Sequence, residues 1–474
     1  MNLFENLAID EEKLHNKYLT IRNNLAITGE QSILSDWISG FEDRDNKIVK
    51  EFQTTFHSAF WEFYLYALFK EAEFQVDFSK NRPDFIIKNP SKIYIEAVVA
   101  NIKQGGAQEE KRQFSDILSM IKPHSWQSDF DESMRESIVR YSNSISLKSK
   151  KYSEYSMDEG FEKSTPYLIA LSGYEQINYG NNFHYAMLAL LYGCYYDNIN
   201  EEYNKVRSIL KPGTDSPIPV GIFLDDKMAH VSAVIFSCTL TLGKLTSLAI
   251  SQNKSPIKLN SVMSIRHDCD FPHFKVQIVS TENPEYLSDG VFIFHNPFAE
   301  NPLSKKLFEK TNAINVELDI DSGTLLMDGN NLPIVSRLNL ALGGGFIAQS
   351  IEEVIKAFNP DLVVCQAKVQ CIEKSEDDEG YDVKFKDIKD NIDFALIFSE
   401  EMLEKHKPKN NDMYRILFKL PKNNKIPNPT ADAYEVYQNF SKIRCLLLND
   451  GCLADIQKIE EYSFTGMGQT DFSE

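Results

Sequence analysis

The chain of 474 residues is 42% hydrophobic and 25% charged, and its net charge is −19. That length exceeds what one hydrophobic core organises, so two or three domains of ~100–200 residues each are expected. The acidic balance excludes a protein that coats nucleic acid through many Lys/Arg–phosphate contacts, yet it leaves room for a localised site in which a bound cation reverses the field.

Residues 1–45 read as a polar helical segment anchored by Trp37, Ile38 and Phe41. A long helix is expected from Asn46 to Ala72, because Phe52, Phe56, Phe60, Phe63 and Ala67 recur at helical steps. The pattern then changes to period two at Phe74–Phe78, a strand signal. A polar turn at Ser79–Arg82 leads into a short strand, Pro83–Lys88, and a second turn at Asn89–Ser91 leads into a third strand, Lys92–Ala100. The nearly continuous apolar run of that third strand predicts burial on both faces.

After a loop at Gly105-Gly106, helices are expected over residues 108–122 and from Asp131 to Tyr155, and a buried strand over Pro166–Leu171. Further on, Phe183–Tyr196 reads as a helix. Pro219–Leu224, Val231–Leu240 and Gly290–Phe294 read as strands, and Ala431–Leu447 as a late helix. The fold class is α/β. We divide the chain into an N-terminal helical segment (1–45), a core (46–175), an α/β extension (176–300) and a C-terminal α/β domain (301–474).

No apolar run reaches the ~18–20 residues that span a bilayer, so no membrane partner is expected. The opening Met1–Asn6 lacks the basic and apolar parts of a secretory signal. Seven single cysteines without a Cys-x-x-Cys pair argue against a disulfide framework or a zinc ribbon, and suggest free thiols in a reducing cytoplasm.

The chemistry-bearing residues lie in the core. Asp84 begins one short strand and Glu96 interrupts the next, so a tight turn can bring them side by side. A carboxylate inside a buried strand is costly unless it is paired, protonated or bound to metal. Two such acids on one sheet make an oxygen-ligand site that suits Mg²⁺. Glu62 lies in Phe60-Trp61-Glu62-Phe63-Tyr64, where its helical neighbours Ser58, Ala59, Leu65 and Tyr66 offer no opposite charge. It points either to solvent or into a functional cavity.

The helix carrying Glu62, the Pro83-Asp84 strand and the Glu96 strand together resemble the PD-(D/E)xK nuclease superfamily. The resemblance covers roughly residues 46–172. It implies a restriction-endonuclease-like α-β-β-β-α-β core with a mixed sheet, Mg²⁺ or Mn²⁺ held by Glu62, Asp84 and Glu96, and hydrolysis of phosphodiester bonds. The implied partner is DNA, with RNA as the alternative and a homodimer or protein partner also open. The implied role is restriction-like or defensive.

One position departs from the motif. The family lysine stands two residues after the second carboxylate, where this chain has Val98. Alternation along the strand puts Val98 on the face of Glu96, so the cation is absent there. Some members of the family this chain resembles supply that charge from elsewhere, and Lys148 and Lys151, one turn apart on the second core helix, are the best candidates here, followed by Lys103. Lys88 shares a face with Asp84 but lies ~13 Å along the strand. The alternative function is a catalytically inactive nuclease-fold protein acting as a nucleic-acid-binding or protein-interaction module.

Other features read as structural. His57 falls five residues before Glu62, off its face. His267-Asp268-Cys269-Asp270 reads as a polar loop. Gly343-Gly344-Gly345 lacks the lysine and Ser/Thr of a phosphate loop. The stretch 102–151 holds Lys103, Lys111, Arg112, Lys122, Arg135, Arg140, Lys148, Lys150 and Lys151 among interspersed acids, with Trp126 available to stack on a base.

Overall fold

The computed structural model describes the whole chain except residues 25–26, 104, 107–123, 127–128, 177–182, 199–201, 256–259, 268–273, 341–361, 376–379, 389–392, 420–452 and 460–474. The chain is mixed α/β and divides into two units. The first comprises Met1–Cys269 and His273–Gly343, and the second Gly344–Glu474 with Asp270–Pro272.

The first unit begins with helices α1 (Asn16–Asn23) and α2 (Thr28–Ile38). They are not a separate segment. Trp37 of α2 is buried and sets its ring 5.5 Å from Phe60 and 5.3 Å from Tyr64. The long helix expected over 46–72 is broken into α3 (Ile48–Thr54) and α4 (His57–Glu71). Thr54 and Thr55 bend their hydroxyls back to the carbonyls of Lys50 and Glu51, at 2.9 and 3.0 Å, and so compete with the helical ladder. Phe56 then turns to a φ of 59°, which lets Phe52, Phe56 and Phe60 all enter one core.

Eight strands form one mixed sheet whose spatial order is the chain order. They are β1 (Gln75–Val76), β2 (Phe85–Asn89), β3 (Ile93–Asn101), β4 (Tyr167–Tyr174), β5 (Ala233–Ser237), β6 (Phe292–His295), β7 (Ile314–Leu318) and β8 (Leu325–Asp328). The β1–β2, β2–β3, β5–β6 and β7–β8 pairs are antiparallel, and β3–β4, β4–β5 and β6–β7 are parallel. Helix α5 (Phe130–Tyr155) makes the crossover from β3 to β4. Alternation sorts the faces: Ile93, Ile95, Ala97, Leu168 and Ala170 join the core with α4, which leaves Tyr94 and Glu96 on the opposite face. The Trp61 indole ties α4 to the sheet by donating to the Ala170 carbonyl at 3.0 Å.

Several expectations shift. The helix read over 183–196 is α6 (Tyr185–Tyr192), and it ends at Gly193, whose φ of 68° closes it in the left-handed region. Cys194–Asp197 instead pairs with Glu202–Lys205 as a two-stranded ribbon. The stretch 219–224 is not a core strand. The amides of Ile222 and Phe223 satisfy the last carbonyls of α6, at Leu190 and Leu191, 3.0 and 2.9 Å away. The boundary placed near 300 moves to Gly343, because β7 and β8 extend the same sheet. Ile334–Leu340 joins Ser261–His267 and Phe274–Ile278 in a three-stranded sheet, packed near α7 (Leu242–Ser251).

The described residues of the second unit form a five-stranded antiparallel sheet with one short helix. Its spatial order is Asp393–Phe398, Tyr381–Asp387, Leu362–Lys374, Met413–Lys419, Leu453–Ile459, and α8 (Glu400–His406) follows the first of these in the chain. It has its own core around Val383, Phe385, Phe398, Tyr414 and Ile416. The helices read over 108–122 and 431–447 and the triple glycine lie outside the described residues.

Candidate functional site

Helix α4 is apolar nearly all round, so it is buried, and Glu62 is its sole charge between His57 and Lys70. Glu62 is half-buried. Burial foremost, then the neighbouring charges of Asp84 and Glu51, push its carboxyl up to about 8, with Lys148 and Arg44 acting in the other direction. No hydrogen bond or ion pair reaches its carboxylate among the described residues.

Asp84 stands one residue before β2. The β2–β3 register pairs Phe85 with Ile95, so the next step brings Asp84 opposite Glu96. Its Oδ2 accepts from the Ala97 amide at 2.8 Å, which ties the loop to β3. Arg44, from the segment between α2 and α3, holds the loop from the other side. Its guanidinium donates to the carbonyls of Lys80, Pro83 and Asp84, the last at 2.8 Å.

Glu96 is fully buried. Lys148, Lys151 and Tyr155 follow one another at helical spacing on α5 and so share a face. That face lies over Glu96. Its Oε2 accepts from the Lys148 and Lys151 ammoniums at 2.7 and 3.2 Å, and its Oε1 from the Tyr155 hydroxyl at 2.7 Å. Lys148 Nζ also reaches Asp84 Oδ2 at 3.0 Å, so one ammonium bridges both acids. Burial alone would lower the Lys148 pKa, but Asp84 and Glu96 outweigh it and push it to about 12. The Tyr167 hydroxyl steadies the same turn by donating to the Lys148 carbonyl at 2.8 Å. Burial, then the hydrogen bond and charge of Glu96, raise the Tyr155 phenol.

The remaining candidates disperse. Lys88 pairs with Asp77 at 3.0 Å and Lys103 with Glu136 at 3.4 Å. Arg135 and Arg140 pair along the helix with Asp131 and Glu136, so much of the basic charge on α5 is neutralised locally. Lys111, Arg112, Lys122, Asp268, Cys269 and Asp270 lie outside the described residues, and Trp126 ends a short 3-10 turn, His124–Trp126. Val98 is half-buried and pairs with Leu171. Burial foremost, then Lys17 and His15, hold His57 down at about 2, and its ring meets Tyr174 edge-on at 4.1 Å.

Among the described residues no group of three or more His, Cys, Asp or Glu is arranged to hold a metal ion. The three expected ligands therefore do not form one ready-made cage. Glu96 is enclosed by the chain's own cations. Asp84 and Glu62 remain, and their carboxylates are of the kind that Mg²⁺ takes, one or two at a time, with water and phosphate filling its other positions. Asp84 Oδ1 takes no hydrogen bond among the described residues, and the side chain is 29% exposed. Burial first, and then the charge of Asp84, raise Glu62.

Sequence reasoning did not anticipate Arg44 or Tyr155. It also missed a buried ionic network in which Glu285 accepts from Lys244 at 2.7 Å and from Arg337 at 2.6 Å, next to an Asp289–Arg266 pair. The available signal was faint: a lysine in the otherwise uncharged stretch Leu242–Ser251. Burial works against the charge of Glu285, but Arg337 and Lys244 hold it down at about 2. The network fastens α7 to the three-stranded sheet.

Comparison with protein-family models, with curated proteins and with solved structures finds no match to this chain.

Proposed function

We propose that the first unit is a metal-dependent nuclease that hydrolyses phosphodiester bonds, with DNA as the substrate, RNA as the alternative, and a restriction-like or defensive role. One observation carries the reading: the Lys148 ammonium on α5 lies between Asp84 and Glu96, supplying from a helix the positive charge that Val98 does not supply from the strand. The order α4, β1, β2, β3, α5, β4 supports it, because it is the α-β-β-β-α-β order of the restriction-endonuclease-like core.

Asp84 and Glu62 would hold Mg²⁺ or Mn²⁺, which supplies an acidified water and neutralises charge on the phosphate. Lys148 then faces the scissile phosphate and offsets the negative charge that builds on its oxygens. Lys151, 35% exposed, offers a second ammonium to the same group. Glu96, buried on β3, ties Lys148 and Lys151 to the sheet.

A second reading is a nuclease-fold module that binds without cleaving. The full enclosure of Glu96 favours it. Purified protein incubated with plasmid DNA, or with RNA, and Mg²⁺ or Mn²⁺ separates the two. The nuclease reading expects strand cleavage that Asp84→Ala abolishes. Cleavage that survives Asp84→Ala, or none with any divalent ion, defeats it.

A further inference from the structure

We propose, resting on the nuclease reading above, that Glu96 is not a metal ligand but the positioning residue that holds Lys148, and that Asp84 is the strand-side acid left to face the cation. The difference between the acids is one of occupancy. Glu96 has no exposed surface, and both its oxygens are spoken for: Tyr155 on Oε1 at 2.7 Å, Lys148 and Lys151 on Oε2 at 2.7 and 3.2 Å. A divalent ion at ligand distance from either oxygen would have to displace a buried ammonium or the phenol. If it displaced neither, it would stand beside positive charge in a medium that screens poorly.

Asp84 is built differently. Its Oδ2 is fixed by the Ala97 amide and by Lys148, while Oδ1 takes no hydrogen bond among the described residues and the side chain is part-exposed. Glu62 likewise takes no hydrogen bond or ion pair among the described residues. The metal side and the lysine side of the site are thus divided between different acids, and Lys148 spans the two.

The geometry explains why Glu96 must be charged although it meets no ligand. Lys148 is 11% exposed. Without that fixed anion beneath it, the ammonium would lose the nearer of its two partners, at 2.7 Å, and keep only Asp84 Oδ2 at 3.0 Å to set its place. Tyr155 adds a donor from the last turn of α5, so the carboxylate cannot rotate and take the lysine with it. The socket is made wholly from one strand and one helix face.

The test uses the full-length protein and Mn²⁺ alone as the probe. Mn²⁺ affinity is measured by electron paramagnetic resonance for the wild type, Glu96→Gln, Tyr155→Phe and Asp84→Asn, and DNA cleavage is followed in parallel. Glu96→Gln is expected to lower Mn²⁺ affinity by about tenfold, the low end of the cost of a group outside the ligand shell, while Asp84→Asn lowers it beyond the roughly hundredfold at the top of that range. Cleavage by Glu96→Gln should fall by about a hundredfold in kcat with KM little changed, as when one charge-stabilising donor is misplaced. Equal loss of Mn²⁺ affinity in Glu96→Gln and Asp84→Asn overturns the proposal, and so does a Mn²⁺-soaked crystal with the ion bonded to a Glu96 oxygen. Should Glu96→Gln fail to fold, Tyr155→Phe decides: a lower kcat at unchanged Mn²⁺ affinity supports the socket, and any other result refutes it. Wild type and Asp84→Asn binding Mn²⁺ alike is a different failure. It removes the nuclease reading itself, and this proposal with it.

Discussion

Glu62 is an acid that the fold keeps short of its charge. Its pKa of about 8 in the folded protein stands against an ordinary value of 4.5. Between those values the folded state keeps a proton that the unfolded chain has released, so stability falls as pH rises through this window and the penalty is complete above about 8. Below pH 6.5 His57, buried and held neutral down to about 2, works in the opposite sense, because the unfolded chain takes up a proton there that the fold refuses. Above 6.5 the His57 contribution is complete, so the decline from 6.5 to 8 reads Glu62 without it. In chelator, Glu62→Gln should remove much of the decline across that window and leave the protein about 1–3 kcal/mol more stable than wild type at pH 8. Urea denaturation at several pH values measures it, and parallel pH profiles for the two proteins would count against the assignment. The acids of the site were legible because each breaks an apolar pattern: Glu62 in a helix of aromatics, Asp84 at a strand start, Glu96 within a strand. The division of labour among them was not, since it depends on which oxygen each lysine reaches across the sheet.

At the scale of elements, α5 brings three side chains to Glu96, and one loop presents Asp84. The lysines could be read from helical spacing once Val98 was seen to leave a gap. Arg44 could not, because its partners are main-chain carbonyls some forty residues on, and carbonyls leave no trace in a side-chain pattern. Its three bonds span Lys80 to Asp84, so Arg44→Ala should free the loop. Each bond to a charged donor contributes about 1.5–3 kcal/mol at most. The expected result is a modest loss of stability with a disproportionate loss of cleavage, at least about tenfold, since small displacements of a positioned group are costly. Arg44→Lys should restore part of it. Amide exchange of residues 80–85 gives a reading independent of catalysis, and unchanged protection in Arg44→Ala would rule the clamp out. The break between α3 and α4 escaped the pattern for a related reason: Phe52, Phe56 and Phe60 keep helical spacing on both sides of a bend that Thr54 and Thr55 create locally.

At the scale of the molecule, charge is used in two ways. Inside the first unit the Lys244–Glu285–Arg337 cluster is a fastening between distant elements. Glu285→Ala leaves two buried cations without their anion and should cost about 3–5 kcal/mol in urea midpoint analysis. The exposed Lys305–Glu317 pair, 2.6 Å long, should lose less than about 1 kcal/mol on Glu317→Ala. Similar losses in the two variants would show that burial does not govern the cluster.

On the outside, the net charge is −19, and Arg135 and Arg140 are paired along their own helix. Lys148 and Lys151 are the cations nearest the proposed chemistry. Each phosphate neutralised adds roughly −0.9 to the slope of log K against log salt concentration, so two contacts predict a slope near −2 for duplex DNA. Binding is measured with Asp84→Asn to keep the DNA intact. Lys151→Ala should then flatten the slope by about 1 without regard to sequence. A slope of about −5 or steeper, unmoved by Lys151→Ala, would mean that DNA is gripped by a basic surface elsewhere in the chain. In that case the acids around Lys148 would no longer mark where a phosphate is cut.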